Sequence, residues 1–388
     1  MEFTPADPKG GLGSGAGLQG LQCPIPISEY PTITMAHGGG GRLTQMLIER
    51  MFVPAFRNPS LATLHDGAIL PLPAPSPVET GEGGVGTTVE KVKGWVEGPR
   101  LAFTTDSFVI TPRFFPGGDI GSLSVHGTVN DLAMCGSQPL ALSASFILEE
   151  GLPMEELWRI VQSMQAAAGA AGVPIVTGDT KVVDRLRGDG IYINTAGLGT
   201  IAPGIEISPR RARPGDMILI NGPIAMHGIA VMSVREGLEF ETELESDAAS
   251  LHSLVARILD VGGNRIHVLR DPTRGGVASA LNEIAARAQV GIRLWETAIP
   301  IGEAVRGACE ILGLDPLYVA NEGKCLAIVE AGAAEAVLAA MHADALGAEA
   351  AIIGEVVEEQ PGRVTMRSRI GGWRIVDMLT GEQLPRIC

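Results

Sequence analysis

The chain has 388 residues, 45% hydrophobic and 19% charged, enough for two ordinary domains with substantial cores. Its net charge of −15, from 29 basic and 44 acidic residues, repels polyphosphate backbones and argues against non-specific nucleic-acid binding. No apolar run approaches the roughly 18 residues of a membrane span and no secretory leader is visible; the five scattered cysteines, without a C-x-x-C pair, suggest a reducing cytoplasm and neither a disulfide framework nor a zinc site.

The predicted organisation begins with a Gly- and Pro-rich extension over residues 1–32, expected to be disordered. Within it, Gly15 to Gly20 matches G-x-G-x-x-G, but no strand precedes it and no helical pattern follows, so it is not read as a dinucleotide site. A domain over residues 33–210 follows. It opens on His37-Gly38-Gly39-Gly40-Gly41-Arg42, directly before a helical stretch from Leu43 to Met51. Four glycines allow close backbone approach to a ligand, and a helix N-terminus behind them favours anions; a flexible linker is the alternative. No Gly-Lys-Ser/Thr closes the loop, so it is not a Walker loop.

Four acidic islands come next: Asp66 before an apolar run, Asp106 in Thr104-Thr105-Asp106-Ser107, Asp131 after Asn130, and Asp179 in Thr177-Gly178-Asp179-Thr180-Lys181. Singly each reads as a cap or turn residue. Together with the Gly-rich loop they suggest hard oxygen ligands for Mg²⁺ and a nucleotide. Lys181 could neutralise a transferring phosphoryl group or be an ordinary solvated lysine. Leu101 to Thr104 and Ile191 to Thr195 read as strands, and Met154 to Ala171 as a helix ending before Gly172.

A turn-rich junction at Arg211 to Asp216 marks the start of a second α/β domain over residues 211–372. Met217 to Ile220 and Leu326 to Val329 read as its strands, Val277 to Ala288 and Ala333 to Ala343 as its helices. Arg270-Asp271-Pro272-Thr273-Arg274-Gly275-Gly276 opens one of those helices. Arg274 would then sit in an anion pocket, with Asp271 either in the pocket or merely the N-cap. Glu322, in Asn321-Glu322-Gly323-Lys324 after the apolar run Leu314 to Val319, read as a strand, stands on a Gly-flanked turn at that strand's end and is placed like a general base or like a surface turn. Residues 373–388 lack a convincing period and are expected to form a tail ending in Pro385-Arg386-Ile387-Cys388, whose thiol is a candidate tethered nucleophile. Sixteen extended residues would reach at most about 55 Å.

Read in order, the Thr104 to Val109 segment, Phe114 to Gly121, His126 to Ala133, Thr177 to Val183, Arg270 to Gly276, Asn321 to Lys324 and the terminal Pro-Arg-Ile-Cys resemble the HypE family of hydrogenase maturation proteins over residues 33–388. Looser forms of the same motifs occur across the superfamily of aminoimidazole ribonucleotide synthetase, selenophosphate synthetase and thiamine-monophosphate kinase. The extension before residue 33 and the glycine at Gly40 depart from that pattern.

The resemblance implies a two-domain α/β fold whose N-terminal domains pair in a homodimer around a β-barrel-like core. It implies ATP-dependent dehydration of a carbamoyl group on Cys388 to a thiocyanate, with the cyano group passed on to iron. A HypF-type carbamoyltransferase would load the thiol, and a HypC–HypD-type scaffold would receive the cyanide. Asp106, Asp131, Asp179 and Asp66 would hold Mg²⁺. Gly38 to Gly41, Asn130, Thr104 and Thr180 would hold ATP. Lys181 would steady the phosphoryl, Glu322 would take protons from nitrogen, and Arg274 and Asp271 would shape the tail's pocket. Two rivals differ in class. A selenophosphate synthetase would use a reactive residue such as Cys23 and leaves the terminal motif unexplained, and a non-catalytic thiol carrier would not need the aspartates.

Overall fold

The structure, a computed structural model, describes residues 41–52, 67–71, 100–237 and 244–379. The extension with its glycine motif and Cys23, the residues Gly38, Gly39, Gly40 and Asp66, and the terminal Cys388 all lie outside them.

In chain order the described residues form α1 (Arg42–Leu47), continued by one π-helical turn to Phe52, then β1 (Ala68–Pro71), β2 (Arg100–Phe108), a short β3 (Phe114–Phe115) and β4 (Gly118–Asp119). Next come α2 (Ile120–Met134), β5 (Ser137–Glu149), α3 (Met154–Ala171), β6 (Ile175–Val183) and β7 (Ile191–Ile201). The second half contributes β8 (Met217–Ile220), α4 (Met226–Arg235), α5 (His252–Gly262), β9 (Ile266–Arg270), α6 (Gly276–Ala288), β10 (Gly291–Trp295) and α7 (Glu303–Leu312). It ends with β11 (Leu326–Val329), α8 (Ala331–His342), β12 (Ala351–Val357), β13 (Val364–Arg367) and β14 (Trp373–Val376).

The N-terminal sheet has the order β1-β2-β7-β5-β6, with only β5 and β6 parallel, joined through α3. Its two faces differ. Ala102, Thr104 and Phe108 of β2 are buried under the helices, whereas Phe103 is 42% exposed and pairs in register with exposed Leu198 of β7. The alternation of a half-covered sheet is therefore present, but the face left uncovered by the described residues carries apolar side chains. At the edge, β6 is exposed from Ile175 to Val182.

Helix α2 lies under this sheet and is buried almost all round. Asp119 starts it: Oδ1 accepts the N–H groups of Gly121 and Ser122 at 2.6 and 3.1 Å, and the Ser122 hydroxyl accepts the Asp119 N–H, a reciprocal cap. Gly121 lets α3 approach, since a Cβ there would stand 2.4 Å from the Ile160 carbonyl oxygen.

The C-terminal sheet, β14-β13-β10-β12-β8-β11-β9, is covered on both faces. Ile218 and Ile220 face one core with Val277 and Leu281 of α6; Leu219 between them faces the other with Leu254 of α5 and Val337 of α8. That is why β8 and β11 read as unbroken apolar runs. The two domains share core: Ala133 and Met134 of α2 pack with α5, and Val231 and Met232 of α4 pack with the N-terminal cluster. The mixed α/β, two-domain expectation holds. Among the described residues no helix is long and apolar enough to cross a membrane.

Two local expectations differ. Leu314 to Val319 is not a strand but carries a 3-10 turn at Pro316–Tyr318, so Glu322 stands before β11 and not at a strand's end. Trp373 begins an edge strand rather than a tail. β14 pairs antiparallel with β13, Asn282 donates to the Val376 carbonyl at 2.9 Å and the Tyr318 hydroxyl to that of Asp377 at 2.9 Å, and Arg374 pairs with Asp315 at 2.7 Å.

Candidate active site

A cleft between the two domains is lined by Asp106, Ser107 and Phe108 of β2, Gly127 and Asp131 of α2, the turn residues Asp271, Thr273 and Arg274, and Glu322. Each has a structural reason to be there. Thr104 and Asp106 alternate on the covered face of β2, and the Thr104 hydroxyl donates to Asp131 Oδ2 at 2.8 Å, tying strand to helix. Gly127 allows α2 to meet β2, because a Cβ there would be 2.9 Å from the Phe108 ring.

From the other domain, β9 ends at Arg270 and α6 starts only at Gly276, so the turn between them faces the cleft. Its geometry depends on glycine. Gly276 has φ +62°, and a Cβ would fall 2.4 Å from the Leu317 carbonyl oxygen. Gly275 is the N-cap and no side chain caps the helix, so Asp271 is not the N-cap; it belongs to the cleft.

Glu322 is 3% exposed. The turn that carries it is fixed by Asn321, whose Oδ1 accepts the Ala225 N–H at 2.7 Å while Nδ2 donates to the carbonyls of Pro272 and Val319 at 2.9 and 3.1 Å. On the other side Asn130 Nδ2 donates to the Glu322 carbonyl at 3.1 Å and to that of Ala249 at 2.9 Å, and its Oδ1 accepts the Leu251 N–H at 2.7 Å. Asn130, expected beside phosphate, thus spends both amide hydrogens and its oxygen on bolting α2 to the Glu322 turn and to segment 244–251.

The cleft is strongly acidic. Burial pushes the Glu322 carboxyl well above the usual range, with Asp271, Asp106 and Asp247 adding to the effect and Arg274 opposing it. Burial likewise raises Asp106, against the pull of Arg274 and the Ser107 N–H. So many carboxyl groups around one guanidinium suit a divalent cation. Among the described residues no group of three or more metal-ligating side chains is preassembled. The enclosed space is about 30 Å³, room for an ion or a small polar group and not for a nucleotide.

The remaining expected residues stand elsewhere. Asp179 and Lys181 of β6 pair in register with Ser145 and Ile147 of β5, the positions that alternate with Ala144 and Phe146 on the helix side. They therefore face the uncovered side of the sheet, opposite to Asp106, and one chain does not bring Asp179 to Asp131. Thr180, on the other side of β6, lines an apolar groove of about 1080 Å³ with Phe146, Trp158 and Met164, and Asp179 reaches the rim of the same groove along this edge strand. Gly41 ends its loop against the C-terminal segment: the Arg42 N–H donates to the Leu379 carbonyl at 3.1 Å, and a Cβ on Gly41 would be 2.5 Å from that oxygen.

Sequence reading did not single out segment 244–251. Asp247 Oδ1 accepts the Glu322 N–H at 3.3 Å, Oδ2 lies 3.2 Å from the Lys324 ammonium, and the Ser246 and Ser250 hydroxyls meet Nδ1 of His227 and His126, each at 2.8 Å. Its mixture of small, polar and apolar residues has no period, and nothing local marks it out.

Known proteins are similar to this chain in sequence and in fold. Families described as AIR synthase related protein match the chain, the N-terminal domain over residues 91–201 and the C-terminal domain over 213–367. A carbamoyl dehydratase HypE from Cupriavidus necator is 52% identical over 375 residues, covering 97% of this chain and 100% of that protein. A solved HypE–HypF complex contains a chain 45% identical with a TM-score of 0.76, covering 86% of this chain and 99% of that one. A hydrogenase maturation protein HypE solved in complex with ATP is 46% identical with a TM-score of 0.72, over 92% of this chain and 100% of that one. The chain belongs to the HypE family of carbamoyl dehydratases, within the AIR synthase related proteins.

Proposed function

We propose that the chain uses ATP to dehydrate a carbamoyl group carried on Cys388, converting an S-carboxamide to an S-thiocyanate for hydrogenase maturation. The observation that carries this reading is the interdomain cleft, in which a buried glutamate and an arginine turn from one domain face two aspartates from the other.

The chemistry sets the requirements. An amide oxygen leaves with a basicity close to hydroxide, so it must be phosphorylated first. Attack of that oxygen on the γ-phosphorus of ATP breaks the terminal phosphoanhydride bond, releases ADP and one nitrogen proton, and gives an O-phosphoryl imidate. Cleavage of its C–O bond then releases phosphate as the second nitrogen proton is removed, leaving carbon triply bonded to nitrogen.

Glu322 is the base for these protons, being buried beside the reacting space with its backbone held from both sides. Asp106 and Asp131 would hold Mg²⁺, which would supply charge neutralisation for the phosphates when bound. Arg274 offsets part of the same charge, and Asp271 shapes the pocket beside it. Gly38 to Gly41 and Thr104 would hold the nucleotide. Nine extended residues follow Leu379, a reach of at most about 30 Å, and the acceptor thiol would enter the cleft on this tether.

Asp179 and Lys181 would contribute only in a pair of chains, and the apolar uncovered face of the N-terminal sheet supports homodimer formation into a barrel-like core. A HypF-type carbamoyltransferase is the partner that loads Cys388, in keeping with the HypE–HypF complex of a relative, and a HypC–HypD-type scaffold receives the cyanide.

The test is intact-mass measurement after incubation with the carbamoyltransferase, carbamoyl phosphate and ATP. The wild type should pass through the carboxamide to a product lighter by one water. Cys388→Ala should gain no carbamoyl mass, and a gain would identify another acceptor. Glu322→Gln should accumulate the carboxamide, with dehydration slower by on the order of 10²–10⁴-fold, as expected for a missing general base. Normal dehydration by Glu322→Gln would remove Glu322 from that role.

A further inference from the structure

Segment 244–251 crosses the interdomain boundary without regular secondary structure, yet it is pinned along its length. The Ser246 N–H donates to the Pro116 carbonyl at 2.8 Å, its hydroxyl takes the Ala248 N–H at 3.1 Å and meets fully buried His227, and Ala249 and Leu251 are bolted to Asn130. Asp247 sits in the middle of these anchors with its side chain 3% exposed. One carboxylate oxygen takes the Glu322 N–H and the other faces Lys324, two residues beyond Glu322, so a single side chain closes a ring around the Glu322 turn. The two backbones touch here as well: a Cβ on Gly323 would lie 1.7 Å from the Asp247 carbonyl oxygen, so only glycine passes.

We propose that Asp247 is a positioning residue for the dehydration step, its Lys324-gripped carboxylate holding the Glu322 backbone so that the glutamate side chain meets the reacting nitrogen. This rests on the assignment of Glu322 as base. A buried ion pair contributes little net stability over an apolar pair of the same size, and in some proteins such a pair serves to specify one arrangement. Here the arrangement specified is that of the turn bearing the base. A displacement of about 1 Å at such a group can cost on the order of 10²-fold in rate.

The experiment removes the charge pair in two ways, so that no buried lysine is orphaned. Asp247→Ala/Lys324→Met lacks the acceptor for the Glu322 N–H, whereas Asp247→Asn/Lys324→Met keeps an oxygen at the same place. Each is loaded with carbamoyl phosphate through the carbamoyltransferase, and thiocyanate formation is followed in single turnover beside Glu322→Gln. The Ala variant should dehydrate about 10–100-fold more slowly than wild type, with carbamoyl loading and the KM for ATP unchanged, while the Asn variant stays within about threefold of wild type. Should the Ala variant not fold, Asp247→Val/Lys324→Met fills the space without an acceptor and is read in the same way. A normal rate in the variant lacking the acceptor, an equal loss in the Asn variant, or a KM for ATP that rises along with the lost rate would overturn the positioning role alone, provided Glu322→Gln is impaired. Normal dehydration by Glu322→Gln would overturn the base assignment and this proposal together.

Discussion

Single residues in this protein are settled by burial before chemistry. His126 on α2 shows it: burial lowers its imidazole from 6.5 to about 4, so the folded state holds it neutral against the Ser250 hydroxyl. As pH falls, such a histidine takes up its proton later in the folded protein than in the unfolded chain. Its contribution to stability is thus complete above pH about 6.5, is lost as pH falls toward about 4, and changes no further below that. The size is on the order of 3 kcal/mol, at about 1.4 kcal/mol for each tenfold change in proton affinity. His126→Asn, which cannot titrate, should show a correspondingly shallower loss in urea denaturation between pH 6.5 and 4, and an identical pH dependence would refute the argument. The same dominance of burial explains what was legible at this scale. Asp106, Asp131, Asp271 and Glu322 belong to short polar islands that interrupt apolar segments, and the buried segments on either side carry such an island inward, with Arg274 at the rim of the cleft. Asp247 was invisible because it stands in a short stretch of small and polar residues with no apolar run or period beside it, and only tertiary pinning buries it. Asn130 was legible as important but not as a bolt, because its three partners lie more than a hundred residues away.

Elements were legible where their period survives in the sequence. Helix α3 and strands β8 and β11 lie where the patterns place them, because each has either one apolar stripe or two apolar faces. Helix α2, which carries Asn130 and Asp131, has no stripe to find: it is covered by the sheet, by α3 and by α5, so small and apolar residues occur all round it. Strand β14 failed for the opposite reason, since Trp373, Arg374 and Ile375 are exposed and only Val376 is buried. It nevertheless belongs to the fold, and two truncations separate fold from function. Ending the chain after Leu379 keeps β14 and its partners and should leave the urea midpoint unchanged while abolishing carbamoyl loading. Ending it after Gly372 removes buried Val376, Met378 and Leu379 and should cost on the order of 5–9 kcal/mol, at about 1.5–3 kcal/mol for each of the three side chains. Equal stability of the two truncated proteins would show that β14 is dispensable.

At the scale of the whole molecule, the most informative fact is that the expected site residues fall on two sides of one sheet. Asp106 and Asp131 face the helices and the second domain, whereas Asp179 and Lys181 face away with Phe103, Ile147 and Leu198. The sequence could not reveal this, because the side of a strand depends on register, and a shift of one residue reverses it. If all four residues serve one reaction, two chains must meet across the uncovered face, so that each site draws its aspartates from one copy and its Asp179 and Lys181 from the other. Variants can be paired to test this. Asp131→Asn alone and Lys181→Ala alone should each be inactive in dehydration as homodimers. Mixed, dissociated and reassembled in equal amounts, half of the dimers are hybrids, and each hybrid has one site with both residues intact and one with neither. Activity should therefore return to about a quarter of that of the wild type. Recovery that depends on subunit exchange, and vanishes when the homodimers are mixed without it, would place the two residues in a shared site. A mixture that stays inactive after verified exchange would confine catalysis to the single-chain cleft and leave Lys181 outside it.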